Sequence, residues 1–146
     1  MPVLILVFAA LMIATSIGYT MRGDIDSKVV ISGEIAARSK SMLVYRGFVS
    51  AFLDGHPGFI GVVANNGMSL PSWYIPPAEI GNYVAGGVIY VYHTQPPPGL
   101  VGELAKVVES ITVGTNVGGV LYSPGGGNTG VLLPPQVPLN ATVIIQ

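Results

Sequence analysis

The chain has 146 residues, six basic against seven acidic side chains, a formal net charge of −1 and no cysteine. A balance this close to zero names neither nucleic acid nor an anionic surface as a partner. The missing thiols exclude a disulfide framework and a thiolate metal site.

Taken in chain order, the N-terminal end carries no charged side chain before Arg22. Val3 to Met21 is apolar or weakly polar throughout, and nine of these nineteen residues are Leu, Ile, Val or Phe. At the helical rise such a run spans about 28 Å, close to the hydrocarbon thickness of a bilayer. The nine large apolar residues contribute on the order of −3 to −5 kcal/mol to insertion, partly offset by Thr15, Ser16 and Thr20. A transmembrane anchor over 1–21 is therefore expected. One rival is a cleaved signal peptide, apolar over 3–14 and cut near Ala14 to Ser16. No Lys or Arg precedes the run, which counts against it. A buried core helix is the other, and nineteen residues is long for one. Short anchors of this kind leave the following domain outside the cytoplasm, so 22–146 is expected to be a periplasmic domain.

Nine charged residues fall between Arg22 and Asp54, and only Glu79, Glu103, Lys106 and Glu109 lie beyond. Charge is 9 % of the whole chain, against about a quarter in an ordinary soluble domain. A surface so poor in charge is weakly protected against association. Either it stays soluble by being tethered, or partners cover it.

Residues 24–53 are predicted to form a long helix. Ile31, Ile35, Arg38, Met42, Tyr45, Val49 and Phe52 recur at spacings of three and four, so they share one stripe. Packing against a sheet explains that stripe, and a coiled-coil contact is the alternative. Gly33 and Gly47 weaken the helix by roughly 1 kcal/mol each. Asp54 to Gly58 supply the stop. From 59 to 146 the pattern turns to strands. Phe59–Ala64 reads as one, followed by a turn at Asn65–Gly67. Asn82–Gly87 is expected to pair with or bulge into Val88–Tyr92. Gln95 to Gly99 reads as a polyproline connector. Leu100–Ser110 returns to helical spacing, with Leu100 or Val101, Leu104, Val107 and Val108 on one face. Further strands are predicted at 117–122, 130–133 and 141–145. The expected class is α+β: a long amphipathic helix on a small antiparallel sheet of about five strands, plus one short helix.

Motifs for chemistry are weak. Gly125, Gly126, Gly127 and Asn128 lack the Lys-Ser/Thr pair of a phosphate loop and are expected to make a hairpin turn. His56 and His93 have no acidic neighbour in sequence. Ser69 and Ser72 lack a nucleophile-elbow context, and Asp54 reads as a helix-end residue. Asn140 to Thr142 matches a glycosylation sequon, a pattern common by chance. Neither catalysis nor a cofactor or metal is expected. Trp73, Tyr74, Tyr83, Tyr90 and Tyr92 cluster in one third of the chain. They are either core packing or an exposed aromatic anchor for a partner.

A family resemblance rests on five segments. They are Leu70, Pro71, Ser72, Trp73 and Tyr74; Asn82, Tyr83 and Val84; Tyr90, Val91 and Tyr92; Pro96, Pro97, Pro98, Gly99, Leu100 and Val101; and Val113, Gly114, Thr115 and Asn116. Behind an N-terminal apolar run, this combination resembles the PilM family of conjugative thin-pilus (type IVb) systems. That family is distinct from the larger actin-like cytoplasmic proteins sharing the name. The resemblance covers nearly the whole chain, and its most specific parts are 70–74 and 96–100. It implies a non-enzymatic bacterial inner-membrane protein of the pilin transport apparatus or basal body. Its domain would lie in the periplasm and its partners would be other pilus-assembly proteins. Self-association into a homo-oligomer is a further expectation.

The alternative is a minor pilin or pseudopilin, whose plan also lays an N-terminal helix under an antiparallel sheet. Two departures count against it: no basic leader ending in Gly, and no Glu early in the apolar run. A secreted binding module, released by cleavage near Ser16, is the third reading.

Overall fold

The structure, a computed structural model, describes residues 30–146. The anchor expected over 1–21, and the first residues of the predicted helix, lie outside the described residues. Among the described residues no helix is long and apolar enough to cross a membrane. Residues 35–146 form one compact unit, and the packing below is that of this unit.

Helix α1 covers 30–55 of the described chain. The stripe read from periodicity is its buried face: Met42, Tyr45 and Val49 are at most 2 % exposed, and Ile35 and Phe52 pack beside them. Ile31 departs from the expectation and is exposed. The helix runs two residues past its predicted end. It stops where the His56 amide bonds the Leu53 carbonyl at 3.0 Å and His56 Nδ1 donates to the Phe52 carbonyl at 2.9 Å.

The predicted strand at 59–64 does not form. Gly61, at φ 128°, makes a single bridge to Val84 and interrupts regular pairing. A 3-10 turn follows at Asn65–Gly67. Strand β1 (Ile80–Ala85) pairs antiparallel with β2 (Val88–His93). Gly86 and Gly87, taken as strand from sequence, are the two-residue turn between them, both at positive φ. Helix α2 (Leu100–Leu104) is half the predicted length. Its Leu100 and Leu104 are buried, but Val107 is 67 % exposed and does not join their face. A 3-10 turn at Ser110–Thr112 leads into β3 (Val113–Val117). β4 (Val120–Ser123) and β5 (Gly127–Leu132) follow, and β6 (Thr142–Ile145) is last in chain order. The strand expected at 117–122 is split by a turn: Gly118 and Gly119, repeating the two-glycine hairpin of β1–β2, separate the end of β3 from β4. Gly125 and Gly126 lie in the β4–β5 turn as expected, and Gly127 and Asn128 open β5.

The six strands form one antiparallel sheet in the order β1-β2-β6-β3-β4-β5. One face receives α1 and α2. Its core joins Met42, Tyr45 and Val49 to Val84, Val91, Leu104, Val113 and Ile144. The other face carries a smaller cluster of Leu121, Leu133, Val137, Ala141 and Val143, beneath the proline-rich segment 133–141. The expected α+β plan of one long helix, a short helix and an antiparallel sheet is therefore present, with one strand more than predicted.

Candidate interaction surfaces

Most segments that carried the resemblance are tied to α1. Tyr74 is the root of its loop. Its hydroxyl donates to the Ser41 carbonyl at 2.9 Å and so takes its 3.1 Å bond from the Ser41 hydroxyl. Its ring lies 5.5 Å from that of Phe48. Burial pushes the Tyr74 phenol up, and the bond to Ser41 opposes this. Leu70 packs on the core, and the Tyr74 amide closes a turn onto the Pro71 carbonyl. Ser72 is exposed, and Trp73 stands out at 74 % exposure beside Ile75 at 84 %. The two aromatics of this loop therefore split: Tyr74 is packing and Trp73 is free surface.

Asn82 is buried between α1 and the 59–65 segment. It accepts from the Val63 amide at 2.8 Å and donates to the Val63 carbonyl at 2.9 Å and the Tyr45 hydroxyl at 2.8 Å. Tyr45 passes the chain on to Asn65 at 2.9 Å. Burial raises the Tyr45 phenol, with the Asn82 bond opposing. Tyr83 points the opposite way by strand alternation. Pro96, Pro97, Pro98 and Gly99 form the link from β2 to α2, and the Leu100 amide bonds the Pro97 carbonyl at 3.1 Å. Gly99 has φ 92°, a conformation its missing side chain permits, and lies beside Ile35 of α1.

Two uncharged surfaces remain open. On the helix-free face Tyr83 stands directly opposite Tyr90, Tyr90 opposite Ile145, and Tyr92 over Gly81. All three tyrosines are half-buried. On the helix-side face, beyond the helices, Val117, Val120 and Leu132 stand side by side across β3, β4 and β5. Val117 and Leu132 are 45 % and 76 % exposed, and Tyr122 adjoins them on the same face. The sequence reading missed this apolar stripe. Apolar residues flanking Gly118-Gly119 mark a hairpin, but they do not mark which of its faces stays uncovered.

No catalytic constellation is assembled among the described residues. None of their His, Asp and Glu side chains cluster as metal ligands. The depression beside the β4–β5 turn, lined by Ile111, Ser123, Asn128 and Thr129, holds no ionisable group. His56 is exposed on the end of α1, stacked 4.1 Å from Phe52. His93 is wholly buried and 3.2 Å from Arg38.

These features define a small helix-on-sheet domain with open uncharged faces. The PilM family model matches residues 9–145, and the chain belongs to this pilus-related family, as the resemblance implied. A crystal structure of a PilM protein from Pseudomonas aeruginosa 2192 is 30 % identical, with a TM-score of 0.50, covering 77 % of this chain and 95 % of that one. A crystal structure of a PilM protein from Escherichia coli B7A has a TM-score of 0.59 at 18 % identity, covering 79 % and 93 %. The latter likeness is one of fold. No curated protein matches the chain significantly.

Proposed function

We propose that this chain is a non-enzymatic, inner-membrane scaffold of thin-pilus biogenesis, acting in the pilin transport apparatus or basal body. Residues 3–21 would hold it in the membrane, and the α+β domain would stand in the periplasm and dock other assembly proteins. The observation that supports docking is the apolar stripe of Val117, Val120 and Leu132, in which half-buried Val120 lies between exposed Val117 and Leu132. No charged residue occurs anywhere in 110–146. A partner centred on this stripe must itself be apolar there, because a charge buried against it would have no counter-ion.

Aspartate at Val120 or Leu132 tests the docking role. Expected is a folded protein at normal abundance that no longer supports pilus formation. Normal piliation with both variants would remove the stripe from the mechanism. Thr129 is a poorer probe, since its hydroxyl donates to the Leu121 carbonyl at 2.7 Å and holds β5 in place. The membrane role is tested by alkaline-washed membranes and intact mass. Full-length protein in the washed membrane is expected. A soluble product lacking about sixteen residues would mean a cleaved signal and a secreted module.

A further inference from the structure

Among the described residues His93 is the wholly buried side chain that titrates near neutral pH. It closes β2 on the helix-side face, opposite Ile80 of β1 and Thr142 of β6, neither of which is ionisable. From α1, Arg38 brings Nη1 to 3.2 Å from Nε2. A guanidinium has no acceptor, so Arg38 donates and Nε2 must be the bare nitrogen. The ring hydrogen therefore sits on Nδ1, which is buried and meets no acceptor. The two charges acting on the ring are Arg38 and, from the residue before β1, Glu79.

We propose that Arg38 and His93 form an acid-opened latch between α1 and the sheet. Proton uptake at Nε2 turns the acceptor that holds Arg38 into a second donor. The contact then sets imidazolium against guanidinium in a site that already leaves Nδ1–H without a partner. Relief comes from lifting the Arg38 turn of α1 so that water reaches both groups. The latch does not depend on the compartment proposed above.

The direction of the effect follows from proton affinity. Burial first, and the Arg38 charge second, hold the His93 imidazole below its ordinary value of 6.5, with Glu79 opposing. The closed form thus binds the proton more weakly than the opened one. The latch is fully closed above pH 6.5 and is lost as pH falls toward and through the lowered value. Over that window the opening equilibrium rises by up to about tenfold per pH unit.

The full-length chain in detergent micelles serves for the test. It has two histidines, so ring NMR gives two resonances, and the variant His56→Gln identifies that of His93. Expected is a His93 titration below 6.5. Hydrogen-exchange protection of amides 36–46 should fall over the same window, after correction for intrinsic exchange. The variant Glu79→Gln should move both changes to lower pH, and Arg38→Met should move the titration up. In His93→Gln the pH dependence of α1 protection should vanish. Titration at or above 6.5, or α1 protection indifferent to pH, overturns the latch. So does a Glu79→Gln shift of zero or opposite sign, a readout that stands even if His93→Gln fails to fold.

Discussion

Asn82 and Val63 exchange two hydrogen bonds, one in each direction, at 2.8 and 2.9 Å. The carboxamide thereby does for residue 63 what a neighbouring strand's backbone would do. Segment 59–65 lies along the β1 edge, held by this clamp and by the Gly61–Val84 bridge. An exposed edge is a template for unwanted pairing, and covering it removes that template. Replacing Asn82 with Ala leaves the Val63 amide and carbonyl without their partner. The expected cost is about 3 kcal/mol, measured by denaturant unfolding. Exchange protection should be lost first over 61–65. A variant within 0.5 kcal/mol of the parent would mean that water takes over the clamp.

Glycines on α1 and β3 should respond oppositely to alanine. Gly47 lies on the exposed side of α1, and an added methyl would meet nothing within 4 Å. Gly47→Ala should stabilise by roughly 0.5–1 kcal/mol through helix propensity alone. At Gly114, buried in β3, the same methyl would run into the Tyr122 carbonyl of β4. Gly114→Ala should therefore destabilise by roughly 1–3 kcal/mol. Thermal melts of the two variants, run side by side, check both signs.

Trp73 and Tyr74 are neighbours with different tasks. Tyr74→Phe deletes the bond to the Ser41 carbonyl and should cost about 1 kcal/mol. Trp73→Ala removes a side chain that is 74 % exposed, so stability should change by less than about 0.5 kcal/mol. If the proposed docking uses Trp73, the effect of this variant is expected in partner capture, because exposed tryptophan is a frequent energetic anchor. Unfolding curves and co-purification with pilus-assembly proteins separate the two. Loss of stability in Trp73→Ala would return this residue to the packing role.

The helix and the outline of the sheet were legible because their signals are local. Spacing of Met42, Tyr45 and Val49 identified the buried face of α1 without any tertiary information. Strand boundaries were misread around glycine pairs. Gly86-Gly87 and Gly118-Gly119 sit inside apolar runs that read as continuous strand, although a two-residue Gly-Gly loop is a hairpin signal, and their positive φ makes each a turn. Leu100–Ser110 looked like a longer helix because its periodicity outlasts its helical hydrogen bonds. The open stripe was illegible for another reason. Val117, Val120 and Leu132 become neighbours through the register of three strands, and nothing in the sequence says that a helix stops short of them. The Arg38–His93 contact joins residues 55 apart, beyond any pattern in spacing.

Strand β6 comes last among the strands yet lies between β2 and β3, with two strands on one side of it and three on the other. On one side it receives the β1–β2 hairpin, on the other the β3–β4–β5 meander, and no ladder joins those two directly. A ribosome that has released the chain only to residue 140 has therefore made two pieces of sheet without the seam between them. Assembly of the sheet therefore waits on synthesis of β6: the hairpin and meander become one sheet only when that strand slides between them like a key.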